Sequence, residues 1–130
     1  YFKKCYDLLK RNGKAMFQCI MIPDNRYESY RNSQDFIQKY IFPGGHLPSM
    51  TAIKKASKTA NFNWTMSTTI TDHYVKTLRT WEQTFLEKKD QILNMGFDNK
   101  FIQTWVYYFN YCSAGFNANF IHNEQFVIEK

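Results

Sequence analysis

Three cysteines are the most reactive side chains of this 130-residue sequence. Cys5, Cys19 and Cys112 lie far apart, are odd in number and show no Cys-x-x-Cys spacing, which argues against a disulfide framework and against a zinc site. No basic residue lies within helical reach of Cys112 to lower its pKa, so the pattern does not indicate a nucleophilic thiol. We therefore expect no metal and a reducing compartment.

Aromatic residues are the second source of possible chemistry, since the chain holds 12 Phe and 9 Tyr. This abundance predicts either an aromatic core or a pocket lined with rings. Tyr108, Cys112 and Phe116 follow one another at intervals of four residues and so share one face of a predicted helix. Such a stripe usually packs into a core, but the same residues could line an apolar pocket.

The histidines do not form a cluster in the sequence. His46 lies in a turn, His122 lies in what reads as an edge-like strand, and His73 precedes Tyr74 at a predicted helix start. We interpret all three as structural or surface residues.

A proline- and glycine-rich corner spans residues 40–49. Pro43 and Pro48 fix their own backbone angles and keep the preceding residues out of the helical region, whereas Gly44 and Gly45 admit positive φ. The corner is therefore expected to hold one shape.

Helices and strands alternate around this corner. Residues 15–22 are nearly all apolar and predict a strand covered on both faces in a sheet, while residues 120–128 alternate and predict a last, antiparallel strand. The pattern gives a helix at 1–11, a strand at 15–22, a helix from residue 24 to the corner, a helix at 50–60, a strand at 62–70, helices at 73–94 and 98–116, and a strand at 120–128. The residues expected to cap helix N-termini are Asp24-Asn25, Ser49, Asp72 and Asp98, and those expected to end helices are Gly13 and Gly96.

A net charge of +6 and a pI near 9.2 favour an anionic partner, either nucleic acid or a phospholipid surface. The lysines and arginines are dispersed, with no run of five, as expected for a solvated face. No apolar stretch is long enough to span a membrane.

The corner, together with Arg26-Tyr27 before it and His73-Tyr74 after it, resembles the cyclopropane-fatty-acyl-phospholipid synthase family, which includes the mycolic acid cyclopropane synthases. Members are S-adenosylmethionine-dependent methyltransferases, and the resemblance covers nearly all 130 residues. It implies an α/β fold, the C-terminal half of a Rossmann-like class I methyltransferase, with about three strands and flanking helices. Residues 1–130 would then be a single partial domain, with the last strand inserted beside the first.

The resemblance also implies a base site that holds bicarbonate. Tyr74 matches the tyrosine that contacts this anion, and Ile20 matches the position whose backbone does so. Gln18 stands where well-studied members have histidine; its amide can donate a hydrogen bond but cannot take up a proton.

Substrate residues follow from the same resemblance. Tyr108, Cys112, Phe116 and Phe42 would contact the acyl chain of the substrate. The glycine-rich nucleotide loop of the family is missing from the sequence, so most of the S-adenosylmethionine site is expected outside it.

The implied reaction is methylene transfer to the double bond of an unsaturated acyl chain through a carbocation. The resemblance implies phospholipid acyl chains, and not nucleic acid, as partners. It also implies a location in the cytoplasm, at the inner membrane surface. These 130 residues alone are expected to be inactive and to form a homodimer, because an apolar strand edge would lack its neighbour. A small-molecule N-methyltransferase of the same family and a basic nucleic-acid-binding module are the alternatives.

Overall fold

The computed structural model describes all 130 residues, and its helices and strands follow the predicted order. Its elements are α1 (Phe2–Leu8), β1 (Lys14–Met21), α2 (Asp24–Arg31), a π-helical turn (Ile37–Ile41), α3 (Met50–Thr59), β2 (Asn63–Thr69), α4 (Thr71–Glu87), α5 (Lys89–Asn94), α6 (Asn99–Asn117) and β3 (His122–Glu129).

The three strands form one sheet in the order β1-β3-β2. β3 runs antiparallel to both neighbours, and Gln125 at its centre lies opposite Gln18 of β1 and Thr68 of β2. The expected insertion of an antiparallel last strand beside the first is therefore confirmed. One expectation for this strand was wrong: His122 lies at the start of the central strand, not on an edge.

Two small cores lie on opposite faces of the sheet, and only 14 of the 130 residues are buried. The first face packs against α1 and α3 through Met21, Phe62, Phe126 and Ile128. The second packs against α4 and α6 and holds the functional candidates described below. Because side chains alternate along a strand, β3 contributes Phe126 and Ile128 to the first face and its odd-numbered residues to the second.

The prediction that β1 is covered on both faces was wrong. Its residues alternate between exposed and half-buried from Lys14 to Cys19, and Met16 is 60% exposed. The helices of the second face cover only the carboxyl end of the strand. β1 has β3 as its one neighbour, so its other edge is unpaired, as the sequence predicted.

Two predicted helix caps are confirmed. The Ser49 hydroxyl accepts a hydrogen bond from the Ala52 amide at 3.3 Å, and the Asp98 carboxylate accepts one from the Phe101 amide at 2.8 Å. Each side chain satisfies a first-turn N–H group that has no partner within its helix.

The other two predicted caps were wrong. Asp24 does not cap α2; its carboxylate instead accepts hydrogen bonds from the Thr51 amide at 3.2 Å and the Thr51 hydroxyl at 2.9 Å, which ties α2 to α3. Asp72 lies inside the first turn of α4, whose N-cap residue Ile70 has no side-chain cap.

The predicted helix over 73–94 is two helices, because the backbone leaves the helical region at Lys88 (φ −97°, ψ 11°). Gly96, with φ +97°, ends α5 as expected. Gly13 does not cap α1, which ends at Leu8; the positive φ in that turn belongs to Asn12.

Candidate functional site

Most of the predicted site residues meet where α4 and α6 cross the carboxyl end of β1. Leu78, Phe109, Cys112 and Phe116 form the buried centre of this second core. Half-buried side chains pack around it, and they include Ile20, Tyr74 and Tyr108. Residues from three distant parts of the sequence thus share one apolar compartment, which we call the second-core compartment.

Tyr74 enters this compartment from the first turn of α4. The edge of its ring meets the ring of Phe116, with 5.1 Å between centroids, and it also lies against Trp81 at 6.1 Å. Burial and then the proximity of Cys112 raise the pKa of Tyr74 above 10.0. The hydroxyl therefore stays protonated at neutral pH and is available as a hydrogen-bond donor.

Cys112 and Tyr108, one helical turn apart on α6, are both held in their neutral forms. Burial is the main cause; it raises the pKa of the Cys112 thiol to about 11 and moves the pKa of Tyr108 further above its usual range. A thiol with so high a pKa is a poor nucleophile, which agrees with the sequence analysis. The compartment therefore offers apolar surface and neutral hydrogen-bonding groups, with no ionised acid or base among these residues.

Phe42 reaches the same compartment from the proline- and glycine-rich corner. Its ring is 52% exposed and meets Tyr108 edge-on, with 6.0 Å between centroids. Of the two glycines in the corner, Gly44 has the positive φ, +80°.

Hydrogen bonds from α2 and the π-helical turn hold the corner in place. The Leu47 amide donates to the Tyr30 hydroxyl at 3.1 Å, and the Gln38 side chain donates to the Gly45 carbonyl at 3.1 Å. Gln38 and Asp35 also bond each other's backbone amides, a reciprocal capping box that begins the π-helical turn. The expected rigid shape thus has a physical basis.

The backbone of Ile20 faces the open edge of β1. In an antiparallel pair, the N–H and C=O of one residue point to the same side, and successive residues alternate. The Asn123 amide donates to Thr71 and its carbonyl accepts from the Ile70 amide, so Asn123 points away from β1 and its partner Ile20 points away from β3. The Ile20 N–H is therefore directed away from β3, toward the edge of β1 that is unpaired within residues 1–130.

Gln18 does not join the second-core compartment. It lies two residues before Ile20 on the same face of β1, but its side chain is exposed and its Oε1 accepts a hydrogen bond from Gln125 across the sheet at 3.0 Å. It is the one predicted base-site residue that the fold leaves at the surface.

Asn123 was missed by the sequence analysis, which considered its neighbour His122 instead. Its side chain is 0% exposed, and neither its Oδ1 nor its Nδ2 has a hydrogen-bond partner. A polar residue inside an alternating strand was the available signal, because it breaks the apolar pattern of a buried face. A fully buried amide with both polar atoms unpaired is uncommon in native proteins.

An apolar cavity of about 310 Å³ adjoins the second-core compartment and was also missed. Nine of its eleven lining residues are hydrophobic, and Ile37 and Ile121 line it while also packing against the buried centre of the second core. Small residues of α6 make room for it: Ala114, Gly115 and Ala118. A volume at the lower end of the range typical of ligand pockets suits part of an alkyl chain.

No glycine-rich loop follows β1 or β2. A nucleotide loop places glycines between the end of a strand and a following helix, but β1 is followed by Pro23-Asp24 and β2 by Ile70-Thr71. No group of three His, Cys, Asp or Glu side chains is placed to hold a metal ion. None of the helices is long and apolar enough to cross a membrane.

The sequence and the fold both match known proteins. The family model for mycolic acid cyclopropane synthetase matches residues 1–126. Tuberculostearic acid methyltransferase UfaA1 of Mycobacterium tuberculosis is 33% identical over 129 residues, which are 98% of this chain and 30% of that protein. Cyclopropane mycolic acid synthase 2 of Mycobacterium leprae is 29% identical over 139 residues, covering 100% of this chain and 45% of that protein.

A solved structure supports the same conclusion. Mycolic acid cyclopropane synthase CmaA1, complexed with SAH and CTAB, superposes with a TM-score of 0.88 at 25% identity, over 99% of this chain and 48% of that one. The chain thus spans between about a third and a half of the length of these relatives. Its three strands and flanking helices have the fold of part of a class I methyltransferase, and the chain belongs to the mycolic acid cyclopropane synthetase family.

Proposed function

We propose that residues 1–130 form the acyl-binding and base-holding part of an S-adenosylmethionine-dependent methyltransferase that acts on the double bond of an unsaturated acyl chain. The observation that carries this proposal is the second-core compartment, where the neutral Tyr74 hydroxyl lies among aromatic rings beside an apolar cavity. The family membership supports a methyltransferase, and the relative that holds the lipid-like detergent CTAB supports an alkyl substrate.

S-adenosylmethionine, held by other parts of the enzyme, supplies an electrophilic methyl group. The π electrons of the alkene would form the new C–C bond as the bond between this methyl group and the sulfonium sulfur breaks, so that S-adenosylhomocysteine leaves and a carbocation remains on the acyl chain. Residues 1–130 would keep water away from this cation, since Tyr108 and Phe116 in the second-core compartment and Phe42 beside it offer apolar surface and aromatic faces. Loss of a proton from the new methyl group and ring closure then give a cyclopropane.

The proton needs an acceptor, because the side chains of the compartment are neutral and weakly basic. Bicarbonate would supply that base, held by the Tyr74 hydroxyl and the backbone N–H of Ile20. Gln18 would act from the exposed side and could only orient the anion or its entry, since an amide does not take up a proton. An acyl substrate would bring the enzyme to a phospholipid surface, where the basic charge of the chain is favourable.

A labelling experiment tests the reaction. The full-length enzyme that contains this chain is incubated with S-adenosylmethionine carrying a trideuterated methyl group, together with oleoyl phospholipid vesicles and, separately, small amines. The proposal predicts an acyl product that has lost one deuterium, as ring closure requires. An N-methylated amine that keeps all the deuterium would favour the alternative methyltransferase, and binding of RNA or DNA without any methylation would favour the nucleic-acid module.

A further inference from the structure

The side chain of Gln38 ties together the two ends of the segment that carries Phe42. Its Oε1 accepts a hydrogen bond from the Asp35 amide at 3.0 Å, where the π-helical turn begins. Its Nε2 donates to the Gly45 carbonyl of the corner at 3.1 Å and to the Tyr30 hydroxyl of α2 at 3.4 Å. An amide side chain suits this place, because it accepts through its oxygen while it donates through its nitrogen.

Phe42 lies at the junction that these bonds enclose. Its amide closes the π-helical turn by donating to the Ile37 carbonyl at 2.8 Å, and its carbonyl accepts from the Gly45 amide at 2.9 Å. Its backbone leaves the helix at this point (φ −128°, ψ 77°), since Pro43 keeps the residue before it out of the helical region. The turn and the corner together therefore set the direction of the Phe42 ring.

This ring borders the second-core compartment. It meets Tyr108 edge-on, with 6.0 Å between centroids, while Phe42 remains 52% exposed. Phe42 therefore stands between Tyr108 and the solvent on one side, and it does so only while its backbone keeps its place. Helical turns of the π type are rare and often occur at functional sites, which agrees with a turn that positions one ring.

We infer that Gln38 is a positioning residue of the proposed reaction, an inference that rests on the proposed function. Through Gly45 it fixes the Phe42 ring, and the ring keeps water from the carbocation on the acyl chain. When the ring is displaced, an oxygen lone pair of water attacks the cationic carbon and forms a C–O bond. The attacking water loses a proton to the base that would otherwise take one from the new methyl group. The product is then an alcohol beside a methyl branch, formed in place of the cyclopropane.

Single-turnover reactions of the full-length enzyme that contains this chain test the inference. The enzyme is mixed with oleoyl phospholipid vesicles and S-adenosylmethionine carrying a trideuterated methyl group, and the acyl products are identified by mass spectrometry. The cyclopropane has lost one deuterium, whereas the alcohol keeps all the deuterium and contains an added oxygen.

Two variants and a control separate the bonds of this side chain. Gln38→Glu keeps an acceptor for the Asp35 amide and loses the donor to Gly45. Gln38→Met loses both bonds and serves if the glutamate variant fails to fold. Gln34→Met, at an exposed glutamine just before the π-helical turn, is the matched control. Hydrogen exchange of the same proteins reports the state of the corner, where the Gly45 and Leu47 amides are both hydrogen-bonded.

We expect these two amides to exchange roughly two- to tenfold faster in the Gln38 variants, as the loss of one hydrogen bond implies, with the sheet and α6 unchanged. The alcohol should rise by a similar factor, roughly two- to tenfold, as a share of all methylated product, and the control should match the wild type on both measures.

Three outcomes would overturn the inference. The first is a loss of turnover at an unchanged product ratio, which would give Gln38 a role in general stability. The second is unchanged exchange in the corner, and the third is faster exchange without additional alcohol. Each of these, found with a wild type that methylates acyl chains, leaves the proposed function intact. A wild type that methylates no acyl chain would instead refute the proposed function, and this inference with it.

Discussion

Substituting Tyr74 by phenylalanine tests the contribution of the hydroxyl group separately from that of the aromatic ring. The ring contacts with Phe116 and Trp81 remain, because Tyr74→Phe removes one oxygen and leaves the aromatic carbons in place. The raised pKa means that the lost group is a neutral donor throughout the physiological range. We therefore expect the free energy of unfolding to change by less than about 1 kcal/mol.

The effect on catalysis should be much larger. A hydrogen bond to a charged partner contributes roughly 1.5–3 kcal/mol, which corresponds to a factor of about ten to a hundred in rate. Misplacement of the base relative to the new methyl group adds to this loss. We expect turnover to fall by a factor on the order of ten to a thousand, with unchanged affinity for S-adenosylmethionine.

The assay is single-turnover methyl transfer to an unsaturated phospholipid by the full-length enzyme, with cofactor affinity measured by calorimetry. Tyr107→Phe is the matched control, since Tyr107 is 53% exposed on α6 and lies outside the second-core compartment. Equal turnover in Tyr74→Phe and wild type would reduce Tyr74 to a packing residue and refute the proposed base site. An equal loss in the control would show that the assay reports general damage.

Three further predictions concern the thiol, the cofactor and the open strand edge. The pKa of the Cys112 thiol is about 11 in the folded chain against an ordinary value of 9.0, so its contribution to the free energy of unfolding is present below pH 9 and is lost as the pH rises through 11. In urea unfolding, the stability of Cys112→Ala should therefore fall by about 2–3 kcal/mol less than that of the wild type across this pH range. Equal falls in stability would contradict the assignment. Isolated residues 1–130 should show no measurable calorimetric binding of S-adenosylmethionine, whereas micromolar binding would reveal a cradle within the chain. The isolated chain should self-associate through the unpaired edge of β1. Light scattering should show weaker association for Met16→Lys, with little change in the stability of the fold, because Met16 is 60% exposed. A monomer at every concentration would contradict this prediction.

Local patterns were enough to predict the elements and most of the residues that meet. Strand and helix periodicity placed all three strands within two residues of their observed ends, and the stripe Tyr108, Cys112 and Phe116 does face the buried side of α6. Ser49 and Asp98 were identified as caps because their partners lie three residues ahead in the sequence.

The failures involve groups whose partners are distant in sequence. Asp24 bonds Thr51, 27 residues away, which no local rule anticipates. The burial of Asn123 depends on α4 and α6 covering one end of the sheet and leaving the other end open. Gln18 was assigned to the base site from its sequence position, but its exposure and its bond to Gln125 follow from pairing across 107 residues.

The central position of β3 sets an order on the folding of this region. β1 and β2 have no backbone contact with each other, so each lacks its β3 partner until the last strand has been synthesised. Each of the two strand pairings, β1 with β3 and β2 with β3, closes a long loop, and such non-local pairings form slowly during folding. During translation, the edge of β1 that pairs with β3 must therefore wait for about a hundred further residues, and a nascent chain halted before His122 would leave the β3-facing edges of both strands open to chaperones, proteases and neighbouring chains.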